Sequence, residues 1–540
     1  MYSDNPDKRV YLYDTTLRDG SQKKGISFSL DDKVKIARLL DELGVAYIEG
    51  GWPGSNPKDM AFFKRMKNES LKHARVVAFG STRKAGVSVE EDSNLEALLE
   101  SETPCVTLVG KSSVMHVERV LRVSREENLS MIKESIAYLK GFDKEVAFDA
   151  EHFFDGYKAN PEFALSCIRA AYEAGARWIV LCDTNGGTLP HEVSEIVTEI
   201  TSHIPGAHLG IHCHDDTGNA VANSLAAVTS GACHIQGTLN GLGERCGNAN
   251  LISLLPTLVL KMGFDTGVSD QGLAQLSQIS HALDERLNRL PDKGAPYVGE
   301  RAFSHKGGLH VSAVEKDPKS YEHVPPESVG NRRHVVVSDQ SGKSNILAMF
   351  RDVGIEVDAN DPKVVRLVEI VKEQEYMGYA YDGAEASFEL LARRTLGDVP
   401  DFYRLKSFRV IDERRWNARN ELVTISEATI KAQVGGKEIM TVAEGNGPVN
   451  ALDSALREVL LPLYPELEDL RLVDYKVRIL TPSDATGAVT RVMIESADGK
   501  GTRWATVGVS ANIIDASYAA LRDSIVYKLY RDGAASVLSD

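Results

Sequence analysis

The sequence predicts an α/β protein: a (β/α)8 TIM barrel, then a mostly helical linker subdomain, then a small α+β domain with an internal duplication. Three observations predict it. From the start to about residue 265, short apolar runs alternate with amphipathic segments, and the pair recurs eight times. Strand-helix alternation makes a parallel sheet, and eight units are what closure into a barrel requires. Polar residues collect where these runs end, which is the edge where barrel sites form. The last part of the chain repeats Thr441-Val442 as Thr506-Val507, Asn450-Ala451 as Asp515-Ala516, and Ala455-Leu456 as Ala520-Leu521, all at an offset of 65 residues. An open doubly wound sheet is the competing arrangement of the same alternation.

The expected strands are Val10–Asp14, Ala46–Gly50, Arg75–Phe79, Cys105–Val109, Glu145–Glu151, Trp178–Asp183, His208–His212 and His234–Gly237. Between them lie helical patterns such as Asp31–Leu43, where apolar residues recur at three and four, and others that follow Pro161, Pro190, Gly218 and Gly247. Residues 266–404 form the expected linker, with helices at Gln271–Leu290, Ser344–Asp352 and Pro362–Gly378 and a Pro/Gly break at Pro291–Pro296. The third unit, 405–540, reads as two strand-strand-helix copies, with turns at Gly435-Gly436 and at Asp498-Gly499-Lys500-Gly501. Such pseudo-symmetry suits a ligand or a second subunit at the repeat interface, or is purely architectural.

Composition narrows the function classes. Of 540 residues 43% are hydrophobic and 26% charged, ordinary for a soluble globular protein. A net charge of -15 argues against nucleic acid as the main partner. The first residues lack a basic region followed by an apolar run, and no stretch approaches the ~18 apolar residues of a membrane span, so a cytoplasmic protein with no membrane partner is expected. The six cysteines have no C-x-x-C spacing and read as buried free thiols, Cys213 and Cys246 included.

The chemistry centres on strand seven. In an extended strand His212 and His214 point the same way and Cys213 the other. With Asp19, just after strand one, they offer a carboxylate oxygen and two imidazole nitrogens, a set suited to Mn2+, Mg2+, Zn2+ or Fe2+. Asn248, after strand eight, either adds a carbonyl oxygen or caps a helix. Arg18 can neutralise developing negative charge or form a salt bridge to Glu49 or Glu151. Glu151, ending strand five, can position a group or move a proton, or serve as that partner. Three other motifs fail. Ser341-Gly342-Lys343-Ser344 lacks the leading glycine of a phosphate loop, Gly241-Leu242-Gly243 continues to Cys246 where a dinucleotide fingerprint needs glycine, and no G-x-S-x-G occurs.

Three separated segments resemble the DRE-TIM metallolyases: Asp14-Thr15-Thr16-Leu17-Arg18-Asp19-Gly20-Ser21-Gln22, His212-Cys213-His214, and Gly243-Glu244-Arg245-Cys246-Gly247-Asn248-Ala249-Asn250-Leu251. More narrowly they are similar to the Claisen-condensing branch of 2-isopropylmalate, homocitrate and citramalate synthases, and the tail repeat resembles the regulatory and dimerisation domain of that branch. Tyr47–Asp59 and Phe148–Gly156 are most similar to the citramalate-forming members, while Asp149-Ala150-Glu151 stands where the isopropylmalate enzymes usually carry a Ser-Pro-Glu-like run. The resemblance implies a metal-dependent acyltransferase that joins acetyl-CoA to pyruvate on the route to isoleucine. The alternatives are 2-oxoisovalerate as acceptor, on the leucine route, or a lyase on the same barrel. It further implies that Asp19, His212, His214 and Asn248 bind the divalent metal, that Arg18 stabilises charge, and that Thr184 holds the substrate carboxylate. Glu151 would assist at the reacting centre, and His310 and Tyr321 would act in deprotonating the acetyl group. A homodimer with an amino-acid effector, isoleucine by pathway logic, completes the expectation.

Overall fold

The eight apolar runs form eight parallel strands in a computed structural model, which describes residues 9–305, 308–335, 347, 350 and 361–538. The strands are β1 (Tyr11–Asp14), β2 (Tyr47–Gly51), β3 (Arg75–Ser81), β4 (Cys105–Lys111), β5 (Glu145–Glu151), β6 (Trp178–Asp183), β7 (Leu209–Cys213) and β8 (His234–Gly237). Each pairs with its neighbours in sequence, and β1 pairs with β8 from Tyr11↔His234 to Asp14↔Gly237, closing the barrel. The open sheet is thereby excluded. Expected and observed strands agree in place and differ by at most two residues at their ends.

Alternation along the strands sorts the side chains into two cores. Tyr13, Tyr47, Val77, Cys105, Ala147, Trp178, Val180 and Cys182 fill the barrel interior. The opposite parity, including Leu12, Ile48, Ala78, Val106, Phe148, Ile179, Ile211 and Ile235, packs outward against the helices. Parallel strands buried on both faces need apolar residues at every position, which is why these runs read as continuous rather than alternating. Helix Leu30–Leu43 shows how the layers join. Ser29 and Asp32 form a capping box at its start, Val34, Ile36, Ala37, Leu40 and Leu43 are buried, and Gly44 at φ 98 ends it.

By internal contacts the chain forms two compact units, Met1–Phe303 with His323–Arg333, and Ser304–Glu322 with His334–Asp540. Burial gives the reason. Leu273, Leu276, Ile279 and Leu283 belong to the outer core of the barrel, so the start of the expected linker packs with it. Val364, Leu367, Val371 and Phe388 instead share a core with Val507 of the tail. The expected helix Gln271–Leu290 is two helices, Asp270–Leu273 and Leu276–Arg286, interrupted just after the weak helix former Gly272. Pro362–Tyr376 is helical as expected, and the expected helix Ser344–Asp352 falls largely outside the described residues.

In the second unit, β9 (Ser304–His305) pairs parallel with β10 (His334–Val335). The duplicated tail carries one strand per copy more than the sequence pattern revealed. Antiparallel β11 (Arg404–Trp416), β12 (Leu422–Val434) and β13 (Lys437–Gly445) precede helix Pro448–Leu460. Likewise β14 (Arg471–Ile479), β15 (Thr490–Ala497) and β16 (Arg503–Ser510) precede helix Ile513–Arg531. The matched residues make matched bonds, since Thr441 Oγ1 donates to Ala455 O at 3.2 Å and Thr506 Oγ1 to Ala520 O at 2.8 Å. Gly435 and Gly436, at φ 57 and 73, supply the two positive φ values of a tight hairpin turn. The second hairpin is longer than its Asp-Gly suggests, because the Asp498 carboxylate accepts from the backbone N–H groups of Lys500 and Thr502 and positive φ falls on Gly501.

Among the described residues no helix is long and apolar enough to cross a membrane. The largest side chain sealed inside the barrel is Trp178, 1% exposed and stacked on His234 at 4.7 Å between ring centroids. Trp178→Ala should lower the stability of the barrel by about 3–5 kcal/mol, read as a lower denaturant midpoint with an unchanged slope.

Candidate metal centre

The turn after β1 is built by the carboxylate of Asp14, which accepts from Thr16 N at 2.9 Å and from Thr16 Oγ1 at 2.8 Å. Burial pushes the Asp14 pKa up to about 7 despite these bonds. Backbone bonds from Arg18 N and Gly20 N to Thr15 O then set Arg18 and Asp19 at the mouth. On the far side of the seam, β7 ends at Cys213 and His214 follows it, bridged antiparallel to Asn248. Asp215 N to Gly247 O at 2.8 Å and Ala249 N to Cys213 O at 2.9 Å hold the 243–249 loop against this extension.

These turns converge three donor atoms. Asp19 Oδ2 lies 3.3 Å from His212 Nε2 and 3.9 Å from His214 Nε2, and the two imidazole nitrogens are 3.4 Å apart. Ligand atoms about 2.1 Å from one ion stand about 3.0–3.4 Å apart for octahedral or tetrahedral angles, so the triangle is close to closing on a divalent cation. All three side chains are buried. Asn248 belongs to the same cluster, its Nδ2 2.8 Å from Asp19 Oδ2 and 3.2 Å from His212 Nε2. Among the described residues its buried Oδ1 has no hydrogen-bond partner, nor has His214 Nδ1. Turned over about its last bond, the Asn248 amide would offer oxygen where it now offers nitrogen. The donor set thus fits a hard or borderline divalent ion.

The orientation of His212 is imposed from behind. Its Nδ1 meets Gln236 Oε1 at 2.7 Å, and Gln236 Nε2 donates to Asp149 Oδ1 at 2.8 Å. An amide oxygen only accepts, so Nδ1 carries a proton, and once Nε2 gives up its own proton its lone pair faces Asp19 and His214. Burial, then the charge of Glu49, push the Asp149 carboxyl up to about 7. Burial disfavours an ionised Asp19, yet Arg18 and the His212 hydrogen bond outweigh it and hold that carboxyl far below the usual range. For His212 burial is likewise outweighed by Asp19, and its pKa is raised. Burial and then the His212 charge lower His214 to about 4, so its lone pair is available at neutral pH.

Arg18 is held by Glu49, with Nε 2.5 Å from Oε1, and its guanidinium lies over the Phe79 ring at 3.9 Å. Of the two salt bridges expected for it, the one to Glu49 forms. Glu151 pairs with Lys111, the last residue of β4, because β4 and β5 run in register to Lys111↔Glu151. Thr184 Oγ1 accepts from His152 N at 2.8 Å, and among the described residues its hydroxyl hydrogen has no acceptor and can be donated to a ligand. His310 and Tyr321 lie in the second unit, exposed and stacked on each other at 4.2 Å, while His305 Nε2 meets Glu322 Oε1 at 3.2 Å. Cys213 turns into the outer core as expected, but Cys246 is exposed. Positive φ at Arg245 and Gly247 swings Cys246 out of the loop.

Sequence reasoning missed Gln236, Asp149 as a support, and Lys111. Strand parity was the available signal, since each shares the inward face with residues already singled out. It also missed why position 243 is glycine. A Cβ there would stand 1.8 Å from Asn248 Oδ1, at φ 151.

Comparison with known proteins bears on this geometry. Residues 9–279 match the HMGL-like family model, 297–375 the homocitrate synthase post-HMGL domain-like model, and 382–529 the LeuA allosteric (dimerisation) domain. The chain is 51% identical over 98% of its length to an (R)-citramalate synthase of Aquifex aeolicus, covering 100% of that protein. It is 54% identical over 97% of its length to an (R)-citramalate synthase of Geobacter sulfurreducens, covering 98% of it. A 2-isopropylmalate synthase of Dictyoglomus turgidum is 28% identical over 94% of the chain and 96% of its own length.

Gly243→Ala should displace Asn248 and weaken divalent-ion binding by about tenfold or more, measured by calorimetric titration of Mn2+ into metal-free protein, while the barrel still melts cooperatively.

Proposed function

This chain belongs to the HMGL-like family, and from its full-length similarity to the (R)-citramalate synthases we infer that it condenses acetyl-CoA with pyruvate and water to give (R)-citramalate and CoA. That similarity, together with intact Arg18, Asp19, His212, His214 and Asn248, carries the reading. It is a metal-dependent acyltransferase, and its product leads toward isoleucine.

Asp19, His212, His214 and Asn248 would hold the ion, as Mn2+, Mg2+ or Zn2+. When bound, such an ion polarises the carbonyl of a chelated 2-oxo acid. Thr184 donates its free hydroxyl hydrogen to the carboxylate of pyruvate. Arg18, fixed by Glu49, faces the charge that grows on the keto oxygen as the new bond forms. A methyl next to a thioester is a weak acid, so base and oxyanion donor must act together. His310, with Tyr321 stacked on it, serves as the base that takes a methyl proton of acetyl-CoA. Glu151, tethered by Lys111, assists at the reacting centre. Water then cleaves the thioester and releases CoA, which makes the condensation effectively irreversible. In the tail, the match to an allosteric and dimerisation domain supports a homodimer with an amino-acid effector bound by the duplicated unit.

Release of free CoA, followed with a thiol reagent, should be fastest with pyruvate among a panel of 2-oxo acids and should stop on chelation by EDTA. A preference for 2-oxoisovalerate would move the enzyme to the leucine route, and no release with any acid would remove the synthase reading. Isoleucine should slow the full-length enzyme, which should sediment as a dimer. An enzyme indifferent to both isoleucine and leucine would make the tail architectural.

A further inference from the structure

Parity along β4 and β5 makes Lys111 unusual. Cys105 lies in the interior core and Thr107 Oγ1 meets Tyr13 OH at 2.7 Å inside the barrel, and the β4–β5 register runs unbroken from Cys105↔Glu145 to Lys111↔Glu151. Lys111 therefore shares the inward face, at the carboxyl end of its strand. Among the described residues it is the one lysine or arginine on an inward strand position at that end, since Arg75 stands at the opposite end of β3. Its backbone is fixed by Asn128 Nδ2 donating to Lys111 O at 3.0 Å. Ser112 ties the neighbouring strand by donating from N and Oγ to Glu151 O at 3.1 and 2.7 Å. The side chains of Lys111 and Glu151 are 22% and 25% exposed, open to the mouth but not free in water.

An ammonium has three donors, and among the described residues Glu151 is the sole hydrogen-bond partner of this one. Two donors remain for a substrate oxygen. β4 lies four strands from β8 in the ring, so Lys111 stands across the mouth from the wall of β1, β7 and β8 that carries Asp19, His212, His214 and Asn248. A 2-oxo acid held on that wall leaves the opposite side for the incoming carbon nucleophile.

We propose that Lys111 is a further substrate-contacting residue, which donates a hydrogen bond to the thioester carbonyl oxygen of acetyl-CoA as that oxygen takes up charge. The proposal rests on the condensation reading above. The base removes one methyl proton, the C–H pair becomes the carbon-carbon double bond, and the carbonyl π pair moves onto the oxygen that Lys111 faces. When the carbon attacks the keto carbon, the double-bond pair becomes the new carbon-carbon bond, the oxygen's pair re-forms the thioester carbonyl, and the keto π pair moves onto the keto oxygen, which takes up a proton. Lys111 keeps its proton throughout, and Glu151 holds the ammonium in place. A lysine suits this task because its charge is compact and its remaining donors can turn to follow the oxygen.

Steady-state kinetics of Lys111→Met and Lys111→Arg, with methyl-proton exchange of acetyl-CoA in D2O followed by NMR, test this. The Met variant should lose about 10²–10³ in kcat, with exchange slowed in proportion, metal content unchanged and the KM for pyruvate within about threefold. Arg should restore part of the loss. If the Met variant melts early, Lys111→Gln, polar but uncharged and one bond too short to reach the same oxygen, should show a comparable loss at parental stability. The proposal is overturned if kcat stays within about threefold in these variants, or if the loss appears as a raised KM for pyruvate with exchange unchanged. An error in the acceptor would show differently, as a parent enzyme preferring another 2-oxo acid with the same dependence on Lys111.

Discussion

Closure of the ring between β1 and β8 is the constraint on which the site depends. Asp19 and Asn248 are far apart in the chain, yet four backbone pairs from Tyr11↔His234 to Asp14↔Gly237 bring the turns that carry them to one seam. His212 joins from the next strand. A sheet left open between β1 and β8 would keep all its strands and lose the cluster. The seam is short, and it is reinforced by side chains: Thr15 Oγ1 donates to Gly237 O and Leu239 N to Thr16 Oγ1.

The mouth concentrates acidic groups, and the fold answers each in a different way. Glu49 is met by Arg18 and Tyr13, Glu151 by Lys111, and Asp19 by Arg18 and His212. Asp149, whose hydrogen-bond donor among the described residues is the Gln236 amide, is pushed toward the protonated form, as Asp14 is. Bare burial of so many charges would be prohibitive, so the cations at the mouth are part of what lets the barrel fold at all.

Much of this could be read from sequence because period and parity survive without knowledge of partners. The eight runs gave the barrel, and the i, i+2 spacing gave the common direction of His212 and His214. Partners across the ring could not be read. Whether Arg18 took Glu49 or Glu151 depended on which strands end at matching heights, and Gln236 gains meaning only once β7 and β8 are paired. Cys246 was misplaced because loop dihedrals, rather than residue type, decide which way a loop side chain faces. The extra strand in each half of the tail escaped notice because β11 and β14 are mostly exposed and carry charged residues among their apolar ones, which hides a period of two.

In the tail, each copy ties its own helix to its own sheet by the same Thr-to-carbonyl bond, 441 to 455 in one and 506 to 520 in the other. Each half is therefore braced from within. Yet the two copies share one core, in which Ala428, Ile430 and Leu456 of the first pack with Trp504, Ile525 and Leu529 of the second, so neither copy can shift without repacking the other.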